Sequence, residues 1–223
     1  MKQKNNSNKQ KSDFLKVITL PKPALKGGAT VVEALKKRKT VREIDDKKFS
    51  MQTWSNLLWA AGGINRKKGP FGIPGRTAAT ASNAQEIDIY VAMEEGVDLY
   101  EPGGHIIRPV AAGDLRIMAI GKGQGMGGKA PARLIYVVDL DKFSKAGFPE
   151  PGLQNPETQK SYYYADTGMI AANVYLFAAS HGLCAWFHNC DREGLQAKLN
   201  LRNDQRALFG QTVGYVKKKN QLS

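Results

Sequence analysis

The feature that most constrains the fold is one long stretch, from about Thr158 to Ser180, whose apolar residues recur at helical spacing. We predict a single long helix there, with a broad apolar face, ending near His181-Gly182. Other elements or a partner chain must cover such a face. Residues from the rest of the sequence, or from a partner chain, therefore have to pack on that face.

Short strand patterns and further helices surround this long helix. Helices are predicted from a capping box of Thr30 and Glu33, from Ser50 to Gly62-Gly63, after Asp191, and in "AAGDLRIMAIG". Alternating or buried apolar runs predict strands in "IDIYVAM", "VDLYE", "ARLIYVVDL", "LCAWFH" and "LFGQTVGYV". Strands and helices mix without the regular alternation of a doubly wound sheet, so we predict an α+β fold with several antiparallel strands.

Length and charge limit the possible functions. The 223 residues suit one domain, which we place at 15–223 behind a polar, basic leader at 1–14 that we expect to be disordered. The net charge is +13, but the basic residues are spread over many segments without a nucleic-acid-binding motif, so no nucleic acid partner is expected. Apolar runs are too short for a membrane span and no secretory signal is visible. We predict a cytoplasmic protein, or an exported one if a signal peptide has been removed.

Two patterns resemble ligand sites but lack essential parts. The stretch "GQGMGGKA", ending at Ala130, matches seven positions of a phosphate-binding loop, but the final hydroxyl residue is missing and Pro131 leads into a strand. We expect a surface loop there. Cys184 and Cys190 match no common zinc spacing, so no metal site is predicted, and two cysteines do not imply a disulfide.

A better candidate for phosphate binding is the stretch "KKRKTVRE". Arg38, Thr40 and Arg42 alternate, so they share one side if the chain is extended there. Two guanidinium groups and a hydroxyl on one face suit a dianion, because arginine donates in a planar fork that matches phosphate oxygens. The alternative is a solvated basic helix end that the helix dipole favours. Charge pattern alone leaves both interpretations open.

Four motifs in order resemble the nitroreductase family of FMN-dependent oxidoreductases, in the subgroup related to SagB-type dehydrogenases. They are "ALKKRKTVREI" with "SNLLWAAGGINR", "TAATASNAQEIDIYVAM", "YYADTGMIAANVYLFAASHGL" and "FGQTVGYVK". They extend over nearly the whole chain after about Leu15. The resemblance implies a nitroreductase-like fold, with a central mostly antiparallel sheet flanked by helices. It also implies an intertwined homodimer with FMN at the interface and exchanged terminal arms; a monomer is the alternative.

The same resemblance implies roles for individual residues. Arg38 and Thr40 would bind the FMN phosphate, with Lys39 where the family often has arginine. Arg42 would lie near N1 and O2 of the flavin, where a cation stabilises the anionic reduced form.

Other cofactor-binding positions follow from the later motifs. Val216 replaces the family's usual proline, which leaves the register of the following lysines open by about a residue, and Glu86 stands where many relatives carry proline or tryptophan. The implied residues are Ser82, Asn83 and Gln85 in a loop that packs on the flavin from the partner subunit, Gly182, Leu183 and Cys184 beside the ring, and Lys217 and Lys219 at the phosphate.

The resemblance implies an enzyme that relays hydride through FMN. NADH or NADPH would reduce flavin N5 and leave, and a small-molecule acceptor such as a nitroaromatic or a quinone would then be reduced. The cofactor carries this chemistry, so no catalytic side chain is predicted. Alternatives are an azoline-oxidising dehydrogenase, a flavin-binding protein without turnover, and a nucleic-acid binder. The sequence leaves the acceptor and the choice of nicotinamide open.

Overall fold

The central element of the fold is an antiparallel sheet of seven strands. The computed structural model describes residues 16–69, 72–121, 123 and 130–217. The strands of the sheet are β1 (Ile18–Thr19), β4 (Ile87–Ala92), β5 (Gly96–Glu101), β6 (Ile106–Ala112), β7 (Ala132–Asp139), β8 (Cys184–His188) and β9 (Gln205–Gly214), in the order β1-β6-β5-β4-β7-β9-β8. All their pairings are antiparallel. The predicted leader, Lys219 and most of the "GQGMGGKA" loop lie outside the described residues.

Four helices complete the described architecture. They are α1 (Val31–Lys37), α2 (Met51–Gly62), α3 (Pro156–Ser180) and α4 (Arg192–Lys198). The capping box of Thr30 and Glu33 begins α1 as predicted, and the side chains of Ser50, Asn155 and Asp191 cap the other three. Two short strands, β2 (Ile64–Arg66) and β3 (Gly75–Arg76), form a separate ribbon after α2. Short 3₁₀ turns lie at Ala81–Asn83 and Leu140–Lys145.

Both faces of the sheet are covered, which explains the unbroken apolar run of β7. Leu134, Tyr136 and Val138 face one core cluster, together with residues of α2 and α3. Ile135 and Val137 face a second cluster, which includes residues of α4. Every residue of β7 is buried, so the strand has no solvent side that would require polar residues.

The stretch "AAGDLRIMAIG" is not a helix, and this prediction was wrong. Its first two residues end β6, and the rest forms turns. The preceding "IIRPVAA" belongs to β6 although it contains Pro109. Pro109 is opposite Asp98 at a register shift between β5 and β6, and such a bulge tolerates a residue that has no N–H group.

The amino-terminal arm lies on its own subunit in the part that the structure describes. The N–H of Leu20 donates to the carbonyl of His105 at 3.1 Å, and the Ser55 hydroxyl donates to the carbonyl of Pro21 at 2.6 Å. Leu20 is buried in the main core. This arm therefore anchors β1 beside α2.

The long helix α3 carries an exposed strip of small and apolar residues. Ala165, Gly168, Met169 and Ala172 are exposed, although the helix is buried against α2 and the sheet on its other side. No helix among the described residues combines the length and the apolar character that crossing a membrane requires.

Candidate functional site

The chain extends immediately after α1 and runs beside β8. Arg38 leaves helical geometry, with φ −58° and ψ 122°. Thr40 then forms a parallel bridge with Ala185, and the N–H of Val41 donates to the carbonyl of Ala185 at 3.1 Å. The chain is therefore extended here, which is the condition under which Arg38, Thr40 and Arg42 share one side.

The carboxyl-terminal end of the described chain pairs with the same segment. Ile44 forms an antiparallel bridge with Val216, and the N–H of Lys217 donates to the carbonyl of Glu43 at 3.2 Å. Basic residues from both ends of the chain are thus brought to one region. Because these contacts involve the backbone, Lys217 keeps its position beside the segment whatever its side chain does.

Tyr175 of α3 organises the start of this segment. The Arg38 guanidinium carbon lies 5.5 Å from the centre of the Tyr175 ring, and the Thr40 hydroxyl lies 3.0 Å from the Tyr175 hydroxyl. The N–H of Phe187 donates to that same hydroxyl at 2.9 Å. Arg38 and Thr40 therefore meet at one aromatic side chain, as their alternation predicts. Arg42 instead lies over Trp186, with its guanidinium carbon 5.4 Å from the ring centre.

The cations of this region have no anionic partner in the described chain. Arg38, Lys39, Arg42 and Lys217 are exposed, and none of them forms an ion pair with another described residue. Arginine is well suited to bidentate contacts with phosphate oxygens. The segment can therefore bind an anion without first breaking a salt bridge.

A second group of predicted residues lies in a loop with unusual backbone geometry. Ser82, Asn83 and Gln85 have φ values of 50°, 52° and 53°. This left-handed region is uncommon for residues other than glycine, so three such residues within four positions need support from neighbouring structure. Such backbone geometry often marks a functional segment. We call residues 80–85 the left-handed loop.

Gln85 holds the shape of the left-handed loop from within. Its Oε1 accepts a hydrogen bond from Nε of Arg76 at 2.6 Å. Its Nε2 donates to the carbonyl of Pro74 at 2.7 Å and to Oδ1 of Asn83 at 2.9 Å. Both amide hydrogens of Gln85 are thus used inside the fold. The amide nitrogen of Asn83 makes no hydrogen bond among the described residues and can donate to a ligand.

Carboxyl groups hold the other side of this loop. The sequence did not associate them with the site. The Ser82 hydroxyl donates to Glu150, and the Tyr162 hydroxyl donates to Oε1 of Glu150 at 2.5 Å. These hydrogen bonds, that of Ser82 first, lower the pKa of Glu150. Oδ2 of Asp166 accepts the N–H of Ala81 at 2.8 Å. The loop is thus tied to α3 and to the chain that precedes it.

The third predicted group lies at the turn from α3 to β8. Gly182 adopts φ +68°, and the N–H of Leu183 donates to the carbonyl of Ala178 at 2.8 Å, so this glycine ends the helix. The Cys184 thiol points towards Gly214, whose carbonyl oxygen lies 3.4 Å away. Burial raises the pKa of Cys184 to about 11, which disfavours the thiolate. The backbone of this turn, rather than the thiol, remains available to a ligand.

The structure joins two of the three groups within one chain. The α3–β8 turn and the segment after α1 meet through the bridge between Thr40 and Ala185. The left-handed loop is attached to Asp166, nine positions before Tyr175 on α3. At the helical rise per residue, those two positions are roughly 13 Å apart.

Comparison with known proteins shows the family of the chain. The model of the nitroreductase family matches residues 35–215. The chain belongs to the nitroreductase family. A protein of Methanocaldococcus jannaschii that carries the same family name is 28% identical over 181 residues, which cover 74% of this chain and 84% of that protein. The family resemblance of the four sequence motifs is therefore confirmed.

Solved structures place this nitroreductase among relatives of the same fold. A protein of Ralstonia eutropha described as a nitroreductase matches with a TM-score of 0.78 and 30% identity over 92% of each chain. The Escherichia coli microcin synthetase complex contains a chain with a TM-score of 0.65 and 18% identity, over 93% of this chain and 81% of that one. These matches confirm the predicted nitroreductase-like α+β fold. The subgroup related to SagB-type dehydrogenases stays a prediction.

Tyr175 is the site residue that sequence reasoning missed. It lies in the middle of an apolar helix, and 135 positions separate it from Thr40. Its one available signal was a polar hydroxyl within an otherwise apolar stretch of α3.

A Tyr175→Phe substitution tests its structural role in this nitroreductase. The N–H of Phe187 would lose its acceptor and Thr40 its hydroxyl contact. We expect the free energy of unfolding to fall by about 1–3 kcal/mol, measured by urea denaturation of the flavin-free protein. Tyr215→Phe is the matched control, because the Tyr215 hydroxyl makes no hydrogen bond among the described residues. Equal stability of the two variants would contradict this role.

Proposed function

We propose that this nitroreductase is an FMN-dependent NAD(P)H oxidoreductase that reduces flat acceptors such as nitroaromatics or quinones. Membership of the family supports an oxidoreductase. The observation that carries the proposal is the set of unpaired cations after α1, fixed around Tyr175 beside the α3–β8 turn. An anionic cofactor with a flat ring system suits such a site, because the cations bind one end and a backbone turn can approach the other.

The phosphate of FMN would be bound by the segment after α1. Arg38 supplies a planar fork and Thr40 a hydroxyl group, and Tyr175 fixes both. Lys39 and Lys217 add positive charge from the same region. The unpaired state of these cations supports the fit, since a resident carboxylate would compete with the phosphate.

The remaining residues would orient the ring and exclude water. Arg42 would place its positive charge near N1 and O2, while the Gly182–Cys184 turn would offer backbone groups. The Asn83 amide, free among the described residues, would donate a hydrogen bond. When bound, FMN would supply hydride acceptance and hydride donation, so the protein needs to position both substrates but requires no acid or base of its own.

A homodimer is part of the proposal. Ala165, Gly168, Met169 and Ala172 follow the i, i+3, i+4, i+7 spacing of one helix face, and all four are exposed. A Cβ atom added at Gly168 meets no atom within 4 Å, so this side of α3 is open in the single chain. Small residues allow a second copy of α3 to approach closely. A partner could then supply its left-handed loop to the cofactor site.

An Ala172→Glu substitution should disrupt this dimer. It places an ionised carboxylate in the middle of the exposed strip, and burying that charge against a second copy is costly. We expect sedimentation to show monomers and desalting to remove most of the FMN. Gln159→Glu adds one negative charge to α3 on a different side of the helix, because it is six positions before Ala165, and it should leave both properties unchanged. A dimer that survives Ala172→Glu with normal FMN retention would exclude this interface.

Anaerobic reduction tests the proposed activity. The FMN-loaded protein is mixed with NADH or NADPH, and a nitroaromatic or a quinone is added after the excess nicotinamide has been removed. We expect the oxidised flavin absorbance to disappear in the first step and to return in the second. Flavin that neither nicotinamide reduces would instead favour an azoline-oxidising dehydrogenase or a flavin-binding protein without turnover.

A further inference from the structure

Two buried carboxyl groups lie beside the left-handed loop. Glu86 follows the loop directly and is fully buried, and Asp166 of α3 is 2% exposed. Asp166 accepts the N–H of Ala81, at the start of the loop, at 2.8 Å. The carboxyl groups therefore adjoin the loop at both of its ends.

Glu86 has no hydrogen bond of standard geometry on either side-chain oxygen among the described residues. Two charged groups act on it, Asp166 from α3 and Lys142 from the turn after β7. The Lys142 ammonium donates to Oδ1 of Asp88 at 2.6 Å rather than to Glu86. An ionised Glu86 would thus be a buried anion beside a second carboxyl group, with no donor of its own.

A proton on Glu86 resolves this conflict. Protonated Glu86 has an O–H group that can donate to the Asp166 carboxylate, whereas two ionised carboxylates repel each other. Burial, and after it the charge of Asp166, raises the pKa of Glu86 to about 8. Burial raises the pKa of Asp166 as well, but the hydrogen bond from the N–H of Ala81 lowers it and so favours the ionised form of Asp166. Glu86 is therefore the member of the pair that carries the proton.

We propose that Glu86 and Asp166 are positioning residues that share one proton at neutral pH, and that this proton keeps the left-handed loop in its observed conformation. Loss of the proton places two anions side by side and pushes Asp166 away from the N–H of Ala81. The loop contains three left-handed residues, so it depends on such contacts to keep its geometry. The consequence for flavin binding rests on the proposed function; the consequence for the loop does not.

Hydrogen exchange of the flavin-free protein tests the loop directly. Between pH 6.5 and 9.5, protection of the amides of residues 80–86, corrected for intrinsic exchange, should fall by up to about tenfold per pH unit as the pH rises to about 8 and should level off above it in the wild type. Glu86→Gln keeps a donor next to Asp166 but cannot ionise. In this variant the protection of the same amides should therefore stay constant with pH. Asp98→Asn is the matched control, because burial raises the pKa of Asp98 to about 6 and its strand, β5, forms no hydrogen bond with the loop among the described residues. It should follow the wild type.

Flavin binding provides the second readout. Apo-protein is titrated with FMN from pH 7 to 9, and the dissociation constant is read from flavin fluorescence. We expect the wild-type constant to rise by up to about tenfold per pH unit towards about pH 8 and to level off above it, and that of Glu86→Gln to remain flat. A wild type without a pH-dependent loop transition, or a Glu86→Gln variant that retains it, overturns the proposal.

The two readouts separate the proposals. A loop transition without FMN binding at any pH supports the shared proton and rejects the cofactor. Tight FMN binding without pH dependence in either readout supports the cofactor and rejects the shared proton. Should Glu86→Gln fail to fold, Asp166→Asn replaces it. Removing the charge beside Glu86 should move the midpoint of the loop transition to lower pH, and an unchanged midpoint contradicts the pairing of the two carboxyl groups.

Discussion

We expect an Arg38→Ala variant to bind FMN about 10- to 100-fold more weakly than the wild-type protein, because it would lose the proposed charge-assisted contact to the phosphate. Arg38 forms no ion pair among the described residues and lies over Tyr175, so the substitution removes a positioned and unpaired cation. Fluorescence titration of the apo-protein measures the change. Riboflavin, which lacks the phosphate, provides the sharpest comparison, since its affinity should be nearly the same in both proteins.

Lys36→Ala is the control for this experiment. Lys36 lies in the last turn of α1, where its removal changes the net charge equally but leaves the contacts of Tyr175 intact. We expect Lys36→Ala to weaken FMN binding by less than about threefold, as for an exposed charge. If Arg38→Ala weakened the binding of FMN and of riboflavin equally, Arg38 would not be a phosphate-binding residue.

We expect the free energy of unfolding of a Glu86→Gln variant to rise by about 4 kcal/mol relative to that of the wild type between pH 4 and pH 8. The raised pKa of Glu86, about 8 against an ordinary 4.5, means that the folded wild type binds a proton that the unfolded chain releases. This bound proton contributes fully to the free energy of unfolding below pH 4.5, and its contribution is lost as the pH rises towards 8. Linkage gives about 1.4 kcal/mol per pH unit, whereas burial of the amide lowers the stability of the variant by the same amount at every pH.

Urea denaturation of the flavin-free protein at pH 4, 6 and 8 measures this effect. The stability difference between the two proteins should grow with pH. Asp98→Asn should show a difference that stops growing near pH 6, because the pKa of Asp98 is raised only to about 6. A Glu86→Gln difference that is the same at every pH would mean that Glu86 is not protonated in the folded protein.

Much of the fold could be predicted from local patterns. The capping box of α1, the length of α3 and the apolar run of β7 each determine their own element, and the structure confirms them. The strand β6 was missed because Pro109 reads as a break, and only the bulge opposite it, formed with β5, explains how the strand tolerates it. The pairing of β6 with β5 decides this strand, and the local sequence carries no information about that pairing.

The candidate site also has a part that could be predicted from the sequence and a part that could not. Arg38 and Thr40 could be proposed from their spacing, because charge and alternation are local properties. Tyr175, Glu150 and Asp166 could not, since each acts on a segment 68 to 135 positions away. The left-handed φ values of the loop are also invisible in the sequence, because serine, asparagine and glutamine adopt them only under the constraint of contacts elsewhere in the fold.

The absorption spectrum of the purified protein tests the binding of FMN most directly. After incubation with excess FMN and desalting, we predict a yellow protein that retains flavin absorbance and releases FMN when it is denatured. Riboflavin treated in the same way should be largely lost, because it lacks the group that Arg38 and Thr40 are proposed to bind. A protein that remains colourless after incubation with FMN would contradict the account.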